Sequence, residues 1–87
     1  MKYADKKELV SEANSDALFA DGFEDALIGY VQVFSHGPVA LYDREKCIRI
    51  LMRRDSMTRE VAEEFFCLNV QGAWVGENTP AFATLLK

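Results

Sequence analysis

The pattern of hydrophobic and polar positions along the chain predicts an α+β domain. Residues 26–34 are almost wholly apolar and rich in β-branched and aromatic types, which favours a strand, although the same positions also fit one face of a helix. Residues 35–38 contain Gly37 and Pro38, which are typical of a turn, and residues 39–42 predict a second short strand. We therefore expect a β-hairpin over about 26–42.

An amphipathic helix is predicted over about 44–54. Asp43 is a favourable N-cap residue, and the positions that follow contain neither Gly nor Pro. At helical spacing the apolar side chains fall on one face and the basic side chains on the opposite face. The expected inward face consists of Cys47, Ile48, Leu51 and Met52, and the outward face of Lys46, Arg49 and Arg53.

A second helix is predicted over about 59–71, with Thr58 as its N-cap and either Gly72 or Gly76 as its end. Because only about four residues separate the two helices, we expect them to form an antiparallel pair. A turn at residues 78–80 and a short C-terminal strand over about 81–86 complete the prediction. The apolar positions of the second helix sweep a broad arc that comprises Val61, Ala62, Phe65, Phe66, Leu68, Gly72 and Ala73.

The first 22 residues are polar and uneven, and they predict either a polar N-terminal arm or a short helix. Residues 23–87 predict a single α+β domain, because a chain of 87 residues has room for only one hydrophobic core. The sequence contains no run of about 18 apolar residues, and its first ten residues hold no apolar stretch of signal-peptide length. We therefore expect neither a membrane span nor a secretory leader.

Charge is distributed unevenly along the chain. The formal net charge is −4, yet residues 43–59 carry six Lys and Arg side chains against three acids. Proteins whose main ligand is nucleic acid are usually basic overall, so the net charge argues against that class. The basic segment can instead contact phosphate, pair with the acidic flanks of the same chain, or face an acidic partner.

Two side chains in or near the end of the second helix, one polar and one amphipathic, are candidates for a site. Asn69 falls within the apolar arc, where a buried amide must find hydrogen-bond partners or cost about 1–3 kcal/mol. It is expected either to bond the backbone of the hairpin or of the 76–80 loop, or to contact a ligand or a second copy of the chain. Trp74 is expected either in the core or in an interface, where tryptophan is enriched.

Catalytic and metal chemistry find little support in the sequence. His36 lies in the predicted turn beside Ser35, and adjacent side chains there need not face each other. Cys47 is expected to pack in the core, whereas Cys67 lies nearer the polar side. The carboxylates of Glu60, Glu63 and Glu64 are predicted on a solvent face without the His that a di-metal site requires. We expect no enzyme, no cofactor and no bound metal.

Two segments carry a distinctive combination of residues, YDREKCIRIL at 42–51 and MTREVAEEFFCLNVQGAWVGENTPAF at 57–82. They resemble a family of small proteins encoded by tailed phages and prophages. The shared features are a Tyr-Asp step, a Lys-Cys-Ile helix start, a Met-Thr cap, and closing Asn-Val, Gly-Ala, Val-Gly-Glu and Thr-Pro steps. The resemblance implies a phage origin and no particular activity. It also implies that one unit is formed by Tyr42, Asp43, Cys47, Asn69, Trp74, Gly76, Glu77 and Pro80. Within this unit we expect Asp43 to cap its helix, Cys47 to pack, and Asn69 to tie the second helix to the following loop.

These observations, together with the resemblance, predict a small phage accessory protein that binds a host protein in the bacterial cytoplasm and modulates or inhibits it. The alternative is a small-ligand or nucleotide-binding module that works as a homodimer. Nucleic acid and membranes are not expected partners. The candidate binding residues are Asn69, Trp74, Glu77, Tyr42, Arg49 and Arg53.

Overall fold

The computed structural model of the chain describes residues 1–32 and 37–86, and it has the predicted α+β architecture in a single domain. Three helices surround one three-stranded mixed sheet. In chain order the elements are helix α1 (Tyr3–Ala13), a 3₁₀ turn (Glu24–Ala26), strands β1 (Leu27–Gln32) and β2 (Pro38–Asp43), helices α2 (Arg44–Arg54) and α3 (Arg59–Phe66), a π-helical segment (Cys67–Gln71), and strand β3 (Ala81–Ala83).

The predicted β-hairpin is confirmed by the antiparallel pairing of β1 with β2. The helical alternative for this stretch is therefore wrong for residues 27–32. Pro38, expected in the turn, is the first residue of β2, where its missing N–H is tolerated. The turn prediction for Ser35 and His36 lies outside the residues that the structure describes.

The C-terminal strand β3 lies parallel to β2 and makes β2 the central strand of the sheet. The strand is shorter than the predicted range of about 81–86, because the pairing ends at Ala83. A parallel neighbour requires a long crossover, and the helical residues between β2 and β3 provide it. This topology places the loop before β3 beside the end of α3.

Both predicted helix caps are confirmed. Asp43 ends β2 and begins α2, and its Oδ1 accepts hydrogen bonds from the backbone N–H groups of Glu45 (3.0 Å) and Lys46 (3.3 Å). Thr58 Oγ1 accepts from the N–H of Val61 at 3.3 Å. Each cap satisfies backbone donors that have no partner within the helix, so these local signals define where α2 and α3 begin.

Helical backbone continues past α3 through the π-helical segment and ends at Gly72, one of the two predicted positions. A Cβ atom at Gly72 would lie 2.8 Å from the carbonyl oxygen of Cys67, so this close approach of backbone favours glycine. Gly76 follows with φ +110, a conformation that L side chains rarely adopt. The two glycines shape the turn that carries Trp74.

Of the two alternatives for the N-terminal segment, the short helix is the one that forms. Helix α1 places Val10 in the core, and the Lys6 Nζ atom donates a hydrogen bond to the carbonyl oxygen of Leu27 at 2.9 Å. The chain after α1 also contacts the sheet, since Asn14 Nδ2 donates to the carbonyl oxygen of Pro38 at 2.8 Å. The N-terminal residues therefore complete the domain.

Aromatic rings occupy the centre of the core. Phe66 meets Phe82 edge-to-face with ring centroids 5.0 Å apart, and it meets Phe23 in the same way at 6.2 Å. The Tyr42 ring lies 5.6 Å from that of Phe82. The core thus joins β2, β3 and α3. Its buried members are Val10, Ala17, Phe23, Ala26, Leu27, Ala40, Tyr42, Cys47, Ile48, Leu51, Ala62 and Phe66.

Candidate functional site

Tyr42, predicted as a binding residue, is fully buried. Its hydroxyl oxygen accepts a hydrogen bond from the backbone N–H of Ala20 at 2.8 Å. Burial raises the pKa of this hydroxyl to about 12, so it stays protonated at neutral pH. Tyr42 therefore anchors the segment after α1 to the central strand, and the expected binding role is corrected to a structural one.

The prediction that Asn69 is buried and ties the helix to the 76–80 loop is wrong. Asn69 is exposed, and its Nδ2 donates to the carbonyl oxygen of Phe65 at 3.2 Å, within its own helical run. The residues that turn inward are Ala62, Phe66 and Val70, at intervals of four. The backbone over Cys67–Gln71 is π-helical, with i→i+5 hydrogen bonds and more residues per turn than an α-helix, so the spacing of about 100° per residue that placed Asn69 within the apolar arc does not hold there.

An asparagine pair performs the role expected of Asn69. Asn14 Nδ2 donates to Asn78 Oδ1 at 3.0 Å, and the backbone N–H of Leu18 donates to the carbonyl oxygen of Asn78 at 3.2 Å. Inside the loop, Thr79 Oγ1 donates to the carbonyl oxygen of Gly76 at 2.6 Å. The loop before β3 is therefore held to the N-terminal segment of the chain.

Trp74 is exposed over 69% of its surface, so the expectation of a core tryptophan is wrong and the interface alternative remains. Other apolar residues near it in the chain are also exposed: Leu68 is 71% exposed and Val75 is 63% exposed. Val61 and Phe65 extend this series along α3, because positions 61, 65 and 68 share one helical face. We call these five residues, Val61, Phe65, Leu68, Trp74 and Val75, the Trp74 surface.

An apolar groove of about 410 Å³ adjoins the Trp74 surface. It lies between the segment that follows α1, the end of the π-helical segment and the loop before β3. Asn69 contributes to its wall, although not to the core. The lining residues are Leu18, Phe19, Ala20, Asp21, Phe23, Asn69, Val70, Ala73, Val75, Thr79, Pro80 and Phe82.

Charges of both signs lie near this groove. Lys7 Nζ is 5.3 Å from the ring centroid of Phe19, and Arg54 Cζ is 5.6 Å from that of Phe23. Among the lining residues, Asp21 is the only charged one. Glu64 lies one helical turn before Leu68, Glu77 follows Val75 by two positions, and both are exposed. Burial, followed by the carboxylates of Glu24 and Asp21, raises the pKa of the Tyr3 hydroxyl.

The structure places Arg49 and Arg53 at a separate cavity of about 230 Å³, which Lys46, Ile50 and Asp25 also line. Arg49 Nε lies 3.2 Å from Glu45 Oε2. The predicted candidates therefore fall into three places. Tyr42 is in the core, Arg49 and Arg53 are on the outer face of α2, and Asn69, Trp74 and Glu77 lie at or beside the groove.

An ion-pair network joins the first turns of α2 and α3. Glu45 Oε1 lies 2.6 Å from Arg59 Nη2, and Arg59 Nε lies 3.2 Å from Glu63 Oε1. The hydrogen bonds from Arg59 are the main cause that lowers the pKa of Glu45 to about 2, and the same contact raises the pKa of Arg59. This exposed network links the two helices at their solvent side.

The two thiols have different environments. Cys47 is buried, and burial followed by the charge of Asp43 raises its pKa to about 12, which suppresses its nucleophilicity. Cys67 is exposed, and its Sγ lies 3.4 Å from Arg44 Nη2. Within residues 1–32 and 37–86, no group of three or more His, Cys, Asp and Glu side chains is placed to hold a metal ion.

Comparison with known proteins adds no relative. The chain matches no protein-family model, no curated protein and no solved structure. In the part of the chain that the structure describes, the helices are too short or too polar to cross a membrane. The surface chemistry of the molecule is therefore the basis for assigning its function.

Sequence reasoning missed the residues that form the far wall of the groove. Leu18, Phe19 and Ala20 interrupt an otherwise polar stretch, and this apolar triplet was the available signal. Phe82 was predicted only as part of a strand. Distant segments meet at the groove because β3 pairs with β2 and the Asn14–Asn78 bond closes the loop, and neither contact is encoded by a local motif.

Proposed function

We propose that this chain is a protein-binding module whose contact surface is the Trp74 surface together with the adjoining groove. The observation that carries the proposal is the exposure of Leu68, Trp74 and Val75, each more than 60% exposed, beside an apolar groove. Monomeric proteins rarely expose contiguous apolar areas above a few hundred Å², and larger ones mark interaction sites.

The residue types also suit a binding surface. A tryptophan side chain buries about 150–250 Å² on contact, and tryptophan is among the residues that dominate interface energetics. Folding does not use this area, since Trp74 remains open to solvent. The free energy of covering Trp74 is therefore available to a partner.

The polar groups of the groove support a protein partner over a polar small molecule. Asn69 Nδ2 already donates to the carbonyl oxygen of Phe65, and Thr79 Oγ1 is bonded to backbone groups of Val75 and Gly76. Small-molecule sites need polar groups that converge on the ligand to orient it. Here those groups stabilise the turn itself.

The biological setting that we propose is that of a phage accessory protein acting on a host protein in the bacterial cytoplasm. The resemblance of residues 42–51 and 57–82 to proteins of tailed phages and prophages supports this setting. The closing segment at residues 69–80, which is distinctive in that resemblance, also contains Trp74 and Val75. The same residues thus carry both the resemblance and the exposed surface.

The test compares capture of host proteins by the wild-type chain and by Trp74→Ala. We expect one stoichiometric partner on the wild type and about a tenfold or greater loss on Trp74→Ala, with folding stability unchanged. Tyr30→Ala is the matched control, because Tyr30 is a 51% exposed aromatic residue on β1, away from the groove. Equal capture by wild type and Trp74→Ala would refute the proposal.

The alternative function, a nucleotide-binding homodimer, has one observation in its favour. Lys46, Arg49 and Arg53 line one cavity on α2, where a phosphate group would meet positive charge. Asp25 lines the same cavity, however, and Arg49 already pairs with Glu45. We therefore favour protein binding, and expect nucleotides at millimolar concentration to leave the melting temperature unchanged, whereas a bound ligand would raise it.

A further inference from the structure

We draw no further inference here: the strongest candidate, the outer edge of strand β1 with the adjoining apolar cavity of about 300 Å³ beside α1, carries nothing because no contact within residues 1–32 and 37–86 shows what covers it.

Discussion

Phe65 and Phe66 are adjacent in the chain, yet the structure uses them in opposite ways. Phe66 is fully buried and joins the rings of Phe23 and Phe82, whereas Phe65 is 38% exposed on the Trp74 surface. The same contrast separates Tyr42, whose hydroxyl is bonded inside the core, from Trp74, which faces solvent. The aromatic residues of this small domain thus form two groups, one packed in the core and one exposed on the surface.

This contrast shows that the apolar residues of α3 exceed what the core can cover. In the helical run Ala62 and Phe66 are buried and Val70 is partly buried, while the sequence supplies a much broader apolar arc. A helix on the surface of a small domain normally has one apolar stripe that faces the core and polar residues on its other faces. The surplus apolar residues are therefore the part of the sequence that folding does not explain.

The largest expected effect comes from replacing Phe66 by alanine, and the same replacement at Phe65 gives the comparison. Phe66→Ala is expected to lower the free energy of unfolding by about 3–5 kcal/mol, because it leaves a cavity among packed rings. Phe65→Ala is expected to cost less than about 1 kcal/mol, since its ring remains partly in solvent. Urea denaturation followed by circular dichroism measures both, and similar losses would contradict the assignment of the two residues to different roles.

A smaller effect is expected from the two tyrosines. Tyr42→Phe removes the acceptor of the Ala20 N–H and should destabilise the fold by about 1–3 kcal/mol, the cost of an unsatisfied buried donor. Tyr30→Phe is the control, and should change stability by less than about 0.5 kcal/mol because Tyr30 is exposed. If Tyr42→Phe were as stable as the wild type, the hydroxyl would not anchor the segment that follows α1.

The helix caps extend the comparison to polar residues. Asp43 is buried and accepts two backbone N–H groups, whereas Thr58 is exposed and accepts one at 3.3 Å. Asp43→Ala is therefore expected to cost about 1–2 kcal/mol and Thr58→Ala about 0.5 kcal/mol. Thermal unfolding of the two variants at neutral pH shows which variant loses more stability. A larger loss of stability in Thr58→Ala than in Asp43→Ala would contradict the prediction.

The smallest effect is expected at the exposed ion pair of Glu45 and Arg59. The pKa of Glu45 is about 2 in the folded chain against an ordinary value of 4.5, so its contribution is present above about pH 4.5 and is lost as the pH falls toward 2. Glu45→Gln should flatten the pH dependence of stability within this window. Because both side chains are 39–49% exposed, high salt should have the same effect in the wild type, and an unchanged slope in Glu45→Gln would contradict the pairing.

Local chemistry made much of the fold predictable. Asp43 and Thr58 define the starts of α2 and α3, Gly72 marks the end of the helical run, and the apolar residues of β1 and β2 define the hairpin. Each of these signals acts over a few residues through a side-chain cap, a glycine conformation or a strand propensity. Prediction from sequence was successful where the physical cause lies within one turn of helix or one strand.

The candidate site was predictable only in part. Trp74, Asn69 and Glu77 do lie at or beside the groove, but the expected burial of Asn69 and the expected grouping with Tyr42 are wrong. Periodicity places a residue within an arc of a helix, and it does not say how much of that arc the neighbouring elements cover. That coverage depends on where β3 and the segment after α1 pack.

The sequence by itself determined the extent of α2, the start of α3 and the presence of the hairpin, because caps and strand formers act on their immediate neighbours. Only the tertiary structure decided that β3 joins β2 in parallel, that Asn14 and Asn78 close the loop, and that Phe66 is covered while Trp74 is not. These outcomes depend on contacts between residues far apart in the chain. Their free energy is set by the packing of the whole core, so no local pattern specifies them.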